Sequence, residues 1–138
     1  PSHEDEMEMI RRKQRGLTLE TVAQVVTRDK LMNIRREVDG VFIKDELIDY
    51  IVRLCARTRA DSRIVQGASP RASLALTVLA KATAWIQGRD YVLPRDVRFI
   101  FRDCIAHRLI WVSELSSNEA QNTALAEIFS SVKAPAIK

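Results

Sequence analysis

Gln66-Gly67-Ala68-Ser69-Pro70-Arg71-Ala72-Ser73-Leu74 is the stretch on which the fold turns. Gly67 permits backbone angles that other residues resist. Ser69 is a preferred N-cap type, and Pro70 suits the first helical position, where its missing N–H forfeits no bond. A helix therefore begins at Pro70. It continues over 72–86 with Leu74, Leu76, Val78, Leu79, Ala82 and Trp85 apolar nearly all round, until Gly88 stops it. A helix apolar on every side is buried, so the pattern predicts a central helix with the others packed around it.

Working outward, the sequence reads as helix after helix. A helix over 45–59 places Leu47, Ile51 and Leu54, with Ile48 and Cys55, on one face at helical spacing. Another over 27–38 is capped by Thr27, and 18–24 suggests a single helical turn. The first helix, 2–15, has Ser2 as its cap, acids in its first turn, basic residues in its last and Gly16 beyond. Each end complements the helix dipole, so this acidic-then-basic run needs no ligand. On the other side, Pro94 opens a helix reaching about residue 109, with Val97, Ile100, Phe101, Cys104 and Ile105 inward. A last helix over 116–132 carries Leu125, Ile128 and Phe129. Residues 59–67 read as a polar loop. Two β-like triplets, 41–43 and 91–93, each precede a helix; if they pair, the long helical crossover between them allows a parallel pair.

The expected fold is thus all-α: a compact helical bundle with at most one very short two-stranded parallel β pair. It forms a single domain over 1–138, with a core at about 17–115, a C-terminal helix at about 116–132 and a frayed tail at 133–138. The 138 residues, 46% hydrophobic and 29% charged, suit one globular domain and exclude disorder along the whole chain. The longest apolar run, 74–86, contains Lys81 and falls short of the about 20 residues that cross a bilayer. No secretory signal is visible at the acidic start, and Pro1 is not an initiator residue, so a processed or excised piece is expected. Two lone cysteines, Cys55 and Cys104, in apolar helical settings fit a reducing cytoplasm.

Catalytic signatures are absent. There is no phosphate loop, no G-x-G-x-x-G, no C-x-x-C and no H-E-x-x-H. His3 lies near a terminus and His107 inside a helix. No catalytic or metal-binding residue is expected within this chain. The net charge is +4 and Arg outnumbers Lys 16 to 6. Arg53, Arg57, Arg59, Arg63 and Arg71 share their stretch with one acid, Asp61. Such a cluster is either a solvated surface or an anion-facing one.

Arg71 is where local rules conflict. A cation in the first turn of a helix is disfavoured by about 0.3–1 kcal/mol. Either an anion docks there, meeting free N–H groups and the guanidinium, or the side chain reaches into water beside Asp61 or another acid.

These residues carry a recognisable pattern. Gly67-Ala68-Ser69-Pro70-Arg71-Ala72-Ser73-Leu74, Ala80-Lys81-Ala82, Gly88-Arg89-Asp90-Tyr91-Val92, Pro94-Arg95-Asp96-Val97 and His107-Arg108-Leu109, preceded by Asp49-Tyr50-Ile51-Val52 and Thr58-Arg59, together resemble the C-terminal lid subdomain of MoxR-type AAA+ ATPases. The resemblance implies a lid that closes over ATP held by a separate α/β core, with Mg²⁺ bound by that core and no cofactor bound by the lid alone. It implies that Arg71 is the "sensor 2" residue reaching toward the γ-phosphate. Gly67, Ala68, Ser69 and Pro70 would support the nucleotide cleft, and Arg57, Arg59 and Arg63 would face the cleft or a neighbouring subunit. It further implies rings, usually of six subunits, that remodel or mature client proteins, often ones with von Willebrand factor A domains. The sequence departs from the family in one place: Leu93 stands where a Thr commonly precedes the Pro-x-Asp-Val run, so a capping hydroxyl worth about 1 kcal/mol is missing, and Asp96 can partly compensate. Two other functions compete: a basic helical nucleic-acid-binding module, which the apolar helix after Ser69 disfavours, and a non-catalytic helical scaffold.

Overall fold

The computed structural model describes residues 1–16 and 22–136. Their elements run α1 (His3–Gln14), α2 (Arg28–Gly40), α3 (Asp45–Arg59), β1 (Ile64–Gln66), α4 (Pro70–Ile86), α5 (Pro94–Ile105), a 3-10 turn (Ala106–Arg108), β2 (Ile110–Trp111) and α6 (Asn118–Ser131). They form two compact units, Pro1–Asn33 and Ile34–Lys138. The expected turn over 18–24 lies partly outside the described residues, and residues 22–24 are not helical.

In the first unit, α1 opens as its sequence dictates. The Ser2 hydroxyl accepts from the Asp5 N–H (3.2 Å) while the Asp5 carboxylate accepts from the Ser2 N–H (3.0 Å), a reciprocal capping box. Gly16 follows at φ 72°, the left-handed geometry that glycine takes at no steric cost.

The second unit holds the core. α3 contributes Leu47, Tyr50, Ile51, Leu54 and Cys55; α5 contributes Val97, Phe101, Cys104 and Ile105; α6 adds Leu125 and Ile128. Ile48, expected on the buried face of α3, is instead exposed. Phe129 joins the layers, edge-on to Tyr50 (centroids 6.1 Å apart) and tilted against Phe101 (5.2 Å).

The central-helix expectation for α4 needs correction. Its buried face is made of Ala72, Leu76, Ala80, Thr83 and Ala84, mostly small residues that let α5 approach closely. Three of its large apolar residues point the other way: Leu74 is 69% exposed, Val78 51% and Ile86 75%. Uniform apolarity marks a helix that is covered on all sides, and among the described residues nothing covers this face of α4.

The β structure is minimal. Phe42 and Tyr91 form one parallel bridge at the two triplets, with the Phe42 N–H donating to Asp90 O (2.7 Å) and the Val92 N–H to Phe42 O (2.9 Å). A second pairing was not legible in the sequence. β1, inside what reads as a polar loop over 59–67, runs antiparallel to β2, with Ile64 opposite Trp111. Strands of two and three residues carry no usable periodicity, and their partners lie far apart along the chain.

Candidate functional site

The site is built where the C-terminus of α3 meets the start of α4. Thr58, fully buried, donates its hydroxyl to Cys55 O (2.7 Å) and accepts from the Ala68 N–H (2.9 Å). Next to it, Arg59 Nη1 donates to the Ala68 carbonyl (2.7 Å). Both main-chain polar groups of Ala68 are therefore held by the end of α3. This requires close approach, which is the reason for Gly67. A Cβ at that position would stand 2.6 Å from Arg59 Cα and 2.7 Å from its backbone nitrogen. Glycine was expected here for unusual backbone angles, but only Gly16 and Gly88 have positive φ; the constraint is space.

This clamp fixes the start of α4. Ser69 takes the N-cap position at φ −74° and ψ 168°, although its hydroxyl makes no capping bond, and Pro70 follows in the first turn. Arg71 projects from that turn into solvent. Among the described residues no carboxylate pairs with it. Asp61, the acid considered as its partner, is taken by Arg63 Nε (2.8 Å) and, at 3.6 Å, by Arg57. Hydrogen bonding from Arg63 holds the Asp61 carboxyl below the usual aspartate value, with the nearby Arg57 charge acting in the same direction.

The rest of the arginine cluster is engaged within the fold. Arg63 also donates to Glu127 on α6 (2.6 Å), tying that helix to the loop before β1. Arg59 is committed to Ala68. Two members of the cluster that suggested nucleic-acid binding thus have internal work, and Arg57, less tightly paired, remains partly exposed. Among the described residues no group of three or more His, Cys, Asp or Glu could hold a metal ion, and no helix is long and apolar enough to cross a membrane. Burial pushes the Cys55 and Cys104 thiols up, away from the thiolate form that reacts.

A second, buried pair supports the opposite end of α4. Gly88 closes that helix at φ 73°. Arg89 then grips Asp96 with two guanidinium nitrogens, at 2.6 and 2.8 Å, and Asp96 is wholly buried. The same carboxylate accepts from the Leu93 N–H (2.8 Å). Asp96 thereby supplies the carboxylate half of a capping box at the position where Leu93 lacks the hydroxyl half, as its placement in the first turn suggested. The Arg89–Asp96 contact itself was missed. The run Arg89-Asp90-Tyr91-Val92-Leu93-Pro94-Arg95-Asp96 offered two acids and two bases, and spacing alone does not choose between them.

A helical unit with an exposed arginine in the first turn of α4, the longest of the described helices, defines a class of domain. The family model described as the AAA lid domain matches residues 56–128. The chain belongs to that family, and its relatives place it with the MoxR type. It is 32% identical over 136 residues to YeaC of Bacillus subtilis, covering 98% of this chain and 42% of that protein. It is 34% identical over 128 residues to the chaperone MoxR1 of Mycobacterium tuberculosis, covering 86% of this chain and 33% of that protein. Among solved structures, a candidate ATPase of Cytophaga hutchinsonii superimposes with a TM-score of 0.76 at 30% identity, covering 98% of this chain and 44% of the other. The chain thus spans less than half the length of each of these proteins.

Proposed function

We propose that this chain is the nucleotide-sensing lid of a cytoplasmic MoxR-type AAA+ ATPase. In this reading it closes over ATP bound by an α/β core, and Arg71 extends toward the γ-phosphate. The observation that carries the reading is the state of Arg71: exposed, unpaired, and projected from a helix start held rigidly by Thr58, Arg59 and Gly67. A guanidinium so placed, together with the first-turn N–H groups, fits a phosphate oxygen and suits no acid of the described residues. Bound ATP would supply the phosphoryl chemistry, with Mg²⁺ held by the core. The lid's own residues orient and stabilise charge: Arg71 offers positive charge where negative charge accumulates, and the α3–α4 clamp turns its position into a position of the whole domain.

The face that follows Arg71 along α4 supports the same reading. Leu74, Val78, Ala82 and Ile86 recur with Arg71 at helical spacing, which leaves an apolar stripe beside the guanidinium. A lid that meets its core around a nucleotide would use both. Arg57, with its partly exposed side chain, is the member of the Arg57, Arg59 and Arg63 trio best placed to reach a neighbouring subunit of a ring, here taken to be a hexamer. The work done would be remodelling or maturation of client proteins, including ones with von Willebrand factor A domains.

Arg71→Ala, made in the protein together with its α/β core, tests the assignment. Turnover should fall about tenfold or more, equivalent to about 1.4 kcal/mol or more of transition-state stabilisation. The melting temperature should not change, because Arg71 makes no internal bond. Unaltered turnover would remove the sensor role.

A further inference from the structure

We infer that the groove between α5 and α6 is a docking site for a short acidic segment of a partner protein that carries one large apolar side chain. The groove lies away from Arg71 on different elements, and the inference does not rest on the nucleotide reading. Its hollow is about 190 Å³. Sites for whole small molecules run to about 300–1,000 Å³, so this one is sized for a single side chain. Buried Phe101 and half-buried Phe129 give it an apolar lining. Arg98 and Arg102 on α5 form one lip, and Asn122 and Ala126 on α6 the other.

The lip is charged and held in place. The Arg98 guanidinium carbon sits 5.9 Å from the centre of the Phe129 ring. Arg102 Nε donates to Asn122 Oδ1 (2.9 Å). Neither arginine pairs with a carboxylate among the described residues. Among the described residues no carboxylate lines the slot itself: Asp96 is buried against Arg89, Glu127 is bonded to Arg63, and Asp103 lines the adjoining hollow, which shares Arg102, Asn122 and Leu125 with the slot, without pairing with either arginine. What remains is unneutralised positive charge on one side of an apolar slot. Guanidinium forks match carboxylates in pairs, and arginines fixed before contact forfeit less entropy on binding. Charge complementarity therefore selects an acidic partner, and the slot selects one apolar anchor within it.

The test uses a fluorescein-labelled nonapeptide with a central leucine between runs of glutamate and aspartate, followed by anisotropy against the protein. Two control peptides replace the leucine with glycine or the acids with lysine. Saturable binding that weakens as salt rises, and that drops at least tenfold for either control, is the expected result. Arg98→Glu with Arg102→Glu should abolish it, and Ala126→Trp should block it by filling the slot while leaving every charge in place. Circular dichroism confirms that each variant is folded. Three results would overturn the inference: no binding, binding indifferent to the leucine or to Ala126→Trp, or a single-stranded oligonucleotide binding the same arginines more tightly than the peptide.

Discussion

Gly67 shows how much one hydrogen atom in place of a methyl group can decide. The α3–α4 junction needs the backbone of residue 67 against that of Arg59, and a Cβ there would meet main-chain atoms, which cannot swing aside. Gly67→Ala should therefore destabilise the domain by about 1–3 kcal/mol, the usual cost of overpacking, read as a lower urea midpoint. Gly40→Ala is the control, since a Cβ at Gly40 meets nothing within 4 Å. Equal midpoints for the wild type and Gly67→Ala would contradict the close-approach explanation. Glycine at 67 could be singled out from the sequence, but its reason could not: a backbone angle is a local property, whereas proximity to Arg59 exists only after the chain has turned back on itself. Arg71 was legible for the opposite reason. Its conflict with the helix dipole is local and follows from Ser69 and Pro70 alone.

At the scale of elements, helices with strong periodicity follow from their own residues. α3 and α5 bury the faces their spacing marked, apart from Ile48. α4 buries mostly small residues together with Leu76 and leaves Leu74, Val78 and Ile86 exposed, and the small side chains let α5 approach closely. The docking of α6 depends on charge as well as packing, through Asp61, Arg63 and Glu127. The Asp61 carboxyl is held below its ordinary value of 3.8 in the folded chain. Its contribution is therefore present above the unfolded value and lost as pH falls through the folded one. Asp61→Asn should lower the urea midpoint near neutral pH, and the gap to the wild type should close progressively below about pH 4. A gap that is the same in acid as at neutrality would show that Asp61 contributes through shape alone.

For the molecule as a whole, the exposed apolar stripe on α4 allows internal stability and the proposed contact with a core to be tested separately. Leu74→Ser with Val78→Ser should change the folding free energy of the chain by less than about 0.5 kcal/mol, as surface substitutions do. Binding of a hydrophobic dye should fall. In the protein with its α/β core, the same pair should weaken nucleotide-dependent turnover without touching Arg71. A steep fall in the melting temperature of the isolated chain would mean the stripe is core, not contact surface.

The helices, their stops and the placement of Arg71 were determined by the sequence itself, because each rests on residues within a few turns of one another, and the lid resemblance was legible because its motifs, from Asp49 to Leu109, are read in order along the chain. Tertiary structure alone decided the β1–β2 pairing, the Arg89–Asp96 grip, the internal duties of Arg59 and Arg63, and the side on which α4 is left bare. These depend on which distant segments come within bonding range. That choice is made by how volumes and charges fit once the helices pack, and no local pattern encodes it.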